Sequence, residues 1–157
     1  MSPEQICELT QHSKIKSIKY TDNDAYTLER VKKLSNVIVY SGKDECFLSM
    51  LAAGADGAIG TTFNFMLDKF KAIKQHYLQG DVQLALQTQN DVNDIISAIV
   101  SSKVIPAVKY LMNLKGYPIS EYCRKPIRSL TNNEKELLEV VENNTKKTLD
   151  IRVKKCI

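Results

Sequence analysis

The sequence has no apolar run near the ~20 residues that a membrane-spanning helix requires; "IISAIV" is among its longest and is too short. It has little cysteine. The four, Cys7, Cys46, Cys123 and Cys156, include no pair at metal-ligand spacing. In a chain of 157 residues they read as free thiols of a reducing compartment, not as a disulfide scaffold. It has two histidines, His12 and His76, each alone on a polar helix face, which argues against a zinc site or a Ser-His-Asp triad. Charge of one sign is also scarce. The net charge is +4, and much of the excess lies in "KKTLDIRVKK", which lacks interleaved aromatics. A solvated helix face is expected there, with no nucleic-acid partner. The closing "KKCI" is not a prenylation box, because its cysteine is second from the end. The polar "MSPEQICELTQH" carries no signal-peptide pattern. The expected location is cytoplasmic, away from membranes.

What is present fits one soluble domain with a real core. Hydrophobic residues make up 43% and charged residues 25%, ordinary values for a globular chain of this size. "SPEQ" opens a helix, with Ser2 as N-cap, Pro3 in its first position and Gln5 completing a capping box; it is expected to run to about His12. A strand follows at 15–20, then a helix from about Asp24 to Leu34 with Tyr26, Leu28, Val31 and Leu34 apolar. "NVIVYSG" (36–42) is a second strand, and its unbroken apolar run predicts burial on both faces. "DECFLSMLAAG" is a short helix stopped by Gly54, and "DGAIG" (56–60) a brief third strand. A long helix carries Met66, Phe70, Ile73 and Tyr77 on one face. After the break at Gly80 the chain reads as helical, with Val92, Ile95, Ile96 and Ile99 on a stripe. A further helix carries Pro106 in its first turn and ends at Gly116, and a last one starts near Asn132 beyond an irregular segment.

Strands about twenty residues apart, each followed by a helix, have the rhythm of right-handed βα units in a parallel sheet. Three such units make either a small three-stranded α/β domain or part of a closed (β/α)₈ barrel, which needs eight strands. The loops after the strands, "KYTDND", "SGKDE" and "GTTFN", emerge at one sheet edge, where α/β proteins build their sites. That edge gathers Lys19, Thr21, Gly42, Asp44, Glu45 and Thr61. A lysine partly desolvated in a barrel mouth becomes a nucleophile for a ketone; a strand-end lysine also simply reaches into water. Asp44 and Glu45 equally suit a helix N-terminus.

Four stretches, "IKYT", "YSGKDE", "MLAAGADGAIGTTFN" and "CRKPI", together resemble the pyruvate-dependent class I aldolases. That family holds N-acetylneuraminate lyase and dihydrodipicolinate synthase. The likeness runs from about residue 3 to 140, and the acidic pair and "CRKP" point to the sialic acid branch. The resemblance implies a partial (β/α)₈ barrel: its last three βα units over residues 1–80, and a C-terminal helical extension over 81–157 packing beside the barrel. It implies a Schiff-base aldolase that reversibly cleaves sialic acid to N-acetylmannosamine and pyruvate, with no cofactor and no metal. Lys19 matches the Schiff-base lysine of the sixth strand. Thr21, Gly42, Asp44, Glu45 and Thr61 match substrate-binding positions, Thr61 standing where the family often has serine.

The first five strands have no counterpart in this sequence. With them go the Ser/Thr pair that holds the pyruvate carboxylate and the tyrosine that relays protons. The resemblance therefore implies that the chain alone is inactive, and that its partner is either a homo-oligomer, a tetramer by family habit, or a complementing N-terminal half-barrel. Two other readings stand beside it: another pyruvate-dependent aldolase such as dihydrodipicolinate synthase, and a truncated, non-catalytic binding or interaction protein.

Overall fold

The computed structural model describes residues 1–155, with side chains through Asn143. Cys156 and the side chains of the basic stretch at 146–155 lie outside the described residues. The chain forms two compact units, one of residues 1–63 and 67–89, the other of 64–66 and 90–157.

In the first unit, α1 (Pro3–Thr10) begins with the expected capping box: the Gln5 N–H donates to Ser2 Oγ, and the Ser2 N–H donates to Gln5 Oε1 at 2.8 Å. β1 (Ser17–Tyr20) leads to α2 (Ala25–Leu34), which Asp24 caps by accepting from the Thr27 N–H at 3.1 Å. β2 (Ile38–Ser41) runs through a 3₁₀ turn, Asp44–Cys46, into α3 (Phe47–Ala52). β3 is only Gly57–Ala58, and α4 spans Phe63–Leu78 with non-helical backbone at Met66. The strands pair in parallel in the order β1-β2-β3, Lys19 beside Tyr40 and Tyr40 beside Gly57. These are three successive βα units, as the strand spacing predicts.

One face of this sheet is covered. Leu28, Val31, Val37, Val39, Met50 and Ala55 form its buried core, with Ile18 and Tyr20 of β1 and Ile6 and Cys7 of α1 packed against it. The other face carries Ser17 and Lys19, both exposed, and Ile38, 44% exposed. The expectation that "NVIVYSG" is buried on both faces is therefore corrected. Val39 and Ser41 are buried, whereas Ile38 is not, because helices cover only the side to which Val39 points. In α2 the apolar set also splits. Leu28 and Val31 are fully buried, but Tyr26 and Leu34 are exposed. At roughly 100° per residue Tyr26 falls opposite Leu28 and Val31. Beyond the strands, Phe47, Phe63 and Phe70 form an aromatic cluster with ring centroids 4.1–6.0 Å apart.

α5 (Val82–Ser102) passes from the first unit into the second, which continues with α6 (Val104–Leu114) and α7 (Asn132–Lys155). The stripe of Val92, Ile95, Ile96 and Ile99 is buried as its spacing predicts. α7 opens with a capping box that the sequence reading did not include. The Thr131 N–H donates to Glu134 Oε2 at 2.8 Å, and the Glu134 N–H donates to Thr131 Oγ1 at 3.3 Å. The Arg128 guanidinium forks onto the same carboxylate at 2.6 and 2.8 Å. No helix among the described residues is long and apolar enough to cross a membrane.

Candidate functional site

The three parallel strands end together. The Gly42 N–H donates to the Tyr20 carbonyl at 2.7 Å, and the Ile59 N–H to the Ser41 carbonyl at 2.9 Å. The loops that leave these ends therefore share one edge of the sheet, and every candidate residue sits on or just beyond it.

Lys19, Thr21 and Gly42 are brought together. Lys19 and Thr21 lie two residues apart on the bare face. A Cβ added to Gly42 would overlap Thr21 Oγ1 and stand 2.9 Å from Lys19 Cε. The lysine stem and the threonine hydroxyl thus lie over a residue with no side chain, and no other residue type leaves them that space. Lys19 is exposed. The desolvation expected of a barrel-mouth lysine is not supplied by the residues around it in this structure, because the face that bears it is uncovered.

The acidic pair divides. Glu45 is exposed, with Lys43 Nζ 3.6 Å from its carboxylate. Asp44 is buried and turned toward the loop after β3. Thr62 donates to Asp44 Oδ2 twice, from its N–H at 3.0 Å and from Oγ1 at 2.6 Å. A Cβ on Gly60 would overlap the Asp44 carboxyl group. The Asp44 carbonyl accepts from Gln89 Nε2 at 3.2 Å, and Gln89 Oε1 accepts from the Leu48 N–H at 3.0 Å. Thr61 is exposed at the same edge. Gly60, Thr62 and Gln89 escaped the sequence reading. The signal for the first two lay in "GTTFN", where either threonine offered a hydroxyl and spacing alone did not choose between them.

Asp56, in the loop that enters β3, braces the sheet from its covered side. Its Oδ2 accepts from the Val39 N–H at 2.8 Å and from Lys32 Nζ at 2.7 Å. Burial pushes this carboxyl up, but the bonds from Lys32 and Val39 outweigh it and hold its pKa below the ordinary carboxylate value.

Residues 1–144 match the dihydrodipicolinate synthetase family. The chain is 34% identical over 148 residues to the N-acetylneuraminate lyase of Clostridium perfringens, a match covering 94% of this chain and 50% of that protein. To the N-acetylneuraminate lyase of Actinobacillus pleuropneumoniae it is 38% identical over 125 residues, 79% of this chain and 42% of that one. Among solved structures, the N-acetylneuraminate lyase of Fusobacterium nucleatum complexed with pyruvate superposes with a TM-score of 0.86 at 32% identity. That superposition covers 92% of this chain and 49% of the other. The chain spans about half the length of the relatives it matches, and its three βα units with their following helices are part of a (β/α)₈ barrel.

Proposed function

The chain belongs to the dihydrodipicolinate synthetase family, and on that premise we propose that it is the C-terminal portion of a Schiff-base aldolase acting on sialic acid. The observation that carries this reading is Lys19 at the end of β1, its stem packed with Thr21 over Gly42. The Lys19 amine attacks the ketone carbon of the substrate, water leaves, and an iminium forms. When the hydroxyl on the carbon beyond the scissile bond gives up its proton, the bond breaks. The aldehyde N-acetylmannosamine departs, and the iminium takes up the electron pair as an enamine. Protonation of the enamine carbon and hydrolysis of the imine release pyruvate and restore the amine. Thr21, Gly42, Asp44, Glu45 and Thr61 form the substrate-binding edge, with the hydroxylated tail of the sugar acid on the side of the acidic pair. The resemblance assigns the carboxylate clamp and the proton relay to strands that this sequence does not contain. Turnover therefore requires those strands, and the working form is either a homo-oligomer or a complex with a complementing half-barrel.

The test is borohydride trapping with pyruvate in the assembled enzyme, the chain together with the missing strands. One reduced pyruvate is expected on the peptide that contains Lys19, and Lys19→Arg abolishes it, because a guanidinium stays protonated and does not attack ketones. Labelling of a different lysine overturns the assignment. Dihydrodipicolinate synthase-type chemistry shares the imine and differs in the aldehyde. The exposed Glu45, a carboxylate suited to hydroxyl contacts, supports the sugar, and turnover compared across aldehydes separates the two.

A further inference from the structure

We propose that Thr62 is a positioning residue: it clasps Asp44, locks the loop after β2 to the loop after β3, and thereby places Glu45 and Thr61 for a polyhydroxylated ligand. The ligand half of this inference rests on the reading above; the clasp rests on geometry alone.

Asp44 and Thr62 are 8% and 5% exposed. Both Thr62 donors converge on one carboxylate oxygen, and the rest of the carboxyl group is seated against Gly60, where only a missing Cβ leaves room. Asp44 is therefore turned inward. Hydrogen bonds to a charged acceptor are about twice as strong as neutral ones, and a buried carboxylate stripped of its donors is costly, so the inward state persists. Gln89 extends the clasp by bridging the Asp44 carbonyl and the Leu48 N–H. No side chain caps the 3₁₀ turn. The Thr62 N–H from which Asp44 accepts is that of the N-cap residue of α4, but the second bond from Thr62 Oγ1 and the close fit against Gly60 go beyond a helix cap. The residues next to the two ends of the clasp, Glu45 after Asp44 and Thr61 before Thr62, are both exposed. The buried pair fixes the backbone of both loops, so that Asp44 serves the binding edge by anchoring it, and the exposed Glu45 and Thr61 beside it are held toward the ligand.

The experiment uses the full chain and its Thr62→Val, Thr62→Ser and Gly60→Ala variants. Amide exchange is read at residues 43–46 and 60–62, with Val31 and Val39 as internal references for global opening. Thr62→Val is expected to speed exchange in the two loops at least tenfold and to leave the reference amides unchanged. Thr62→Ser, which keeps the hydroxyl, stays within about twofold of the parent. Gly60→Ala displaces Asp44 while Thr62 remains, and reproduces the loosening. Uniform acceleration across the unit, or failure of Thr62→Ser to rescue, overturns the clasp. Titration with N-acetylmannosamine, followed at the Glu45 and Thr61 amides, tests the ligand half. Thr62→Val is expected to weaken binding at least tenfold while pyruvate trapping at Lys19, read with the first five strands supplied, is unchanged. Unaltered affinity in Thr62→Val, or no response of either amide in the parent, overturns that half. Absence of pyruvate trapping in the parent assembled with a polypeptide of the first five strands counts instead against the aldolase reading and leaves the clasp standing.

Discussion

Gly42 shows how a single position constrains the site. Its missing side chain is the space into which Lys19 and Thr21 fit. In Gly42→Ala the added methyl meets the Thr21 hydroxyl and the Lys19 stem, and one of them must move. Overpacking of this kind costs roughly 1–3 kcal/mol. The expected outcome is a lower urea midpoint and pyruvate trapping at Lys19 slowed at least tenfold. Unchanged trapping would show that the lysine does not need this seat. The lysine, the glycine and the acidic pair could be nominated from the sequence because Lys19 lies near the end of β1 and the other three stand just after β2, and residue type with strand-end position is enough for a nomination. Thr62 was not legible. Two adjacent threonines differ in which way the backbone turns them, and only the fold shows that one is exposed and the other bonded to Asp44. The same limit applies to Asp44 and Glu45, adjacent carboxylates that the fold sends into different surroundings.

The strands and helices themselves were readable from β-branched runs, caps and apolar spacing, and their ends fall within a few residues of expectation. What sequence did not supply was which neighbour covers a face. "NVIVYSG" is apolar enough for two covered faces, and apolarity does not report that the described residues cover only one of them. Two electrostatic braces make element-scale predictions. Asp56 joins β2 to α2 through the Val39 N–H and Lys32. Its folded pKa is depressed, so the stability it contributes is present above the unfolded value and lost as pH falls through the folded one. Asp56→Asn is expected to remove that acid-side dependence and to lower the melting temperature at neutral pH. In the second unit, the Arg128 fork and then the Thr131 N–H hold the Glu134 carboxyl down at about 2, against an ordinary value of 4.5. The folded value lies below the unfolded one, so this contribution is complete above about 4.5 and fades as pH falls toward 2. The first-turn amides of α7, followed by NMR, should keep their helical shifts from neutral pH down to that range and lose them below it. Glu134→Gln should show no such step, and a step that survives the substitution would assign it to another group.

At the scale of the molecule, the sheet of the first unit carries the strongest consequence. The Ile38 N–H donates to the Lys16 carbonyl and the Gly42 N–H to the Tyr20 carbonyl. Backbone groups alternate in direction along a strand, so those of Ser17 and Lys19 point away from β2, to the outer edge of β1. An edge of free N–H and C=O groups is a template for another strand. Here it borders a bare face bearing Ile38, and Ile59 at the strand-end edge is 48% exposed. The chain also matches only half the length of its relatives. A parallel strand of the missing half of the barrel is therefore the expected occupant. Mixing the chain with a separately produced polypeptide of the first five strands should yield a one-to-one complex by size-exclusion chromatography. In that complex Lys19 should be shielded from acylating reagents, and lyase turnover should exceed that of the chain alone at least tenfold. Ser17→Pro probes the edge directly. It removes an outward N–H at the first residue of an edge strand, a position proline tolerates, and leaves the β1–β2 bonds in place. Complex formation should fall at least tenfold in Ser17→Pro, with the melting temperature of the isolated chain little changed. If the variant associates as well as the parent, β1 is not the docking edge; if the parent chain alone is a fully active monomer, the half-barrel reading itself gives way to a self-contained three-stranded unit.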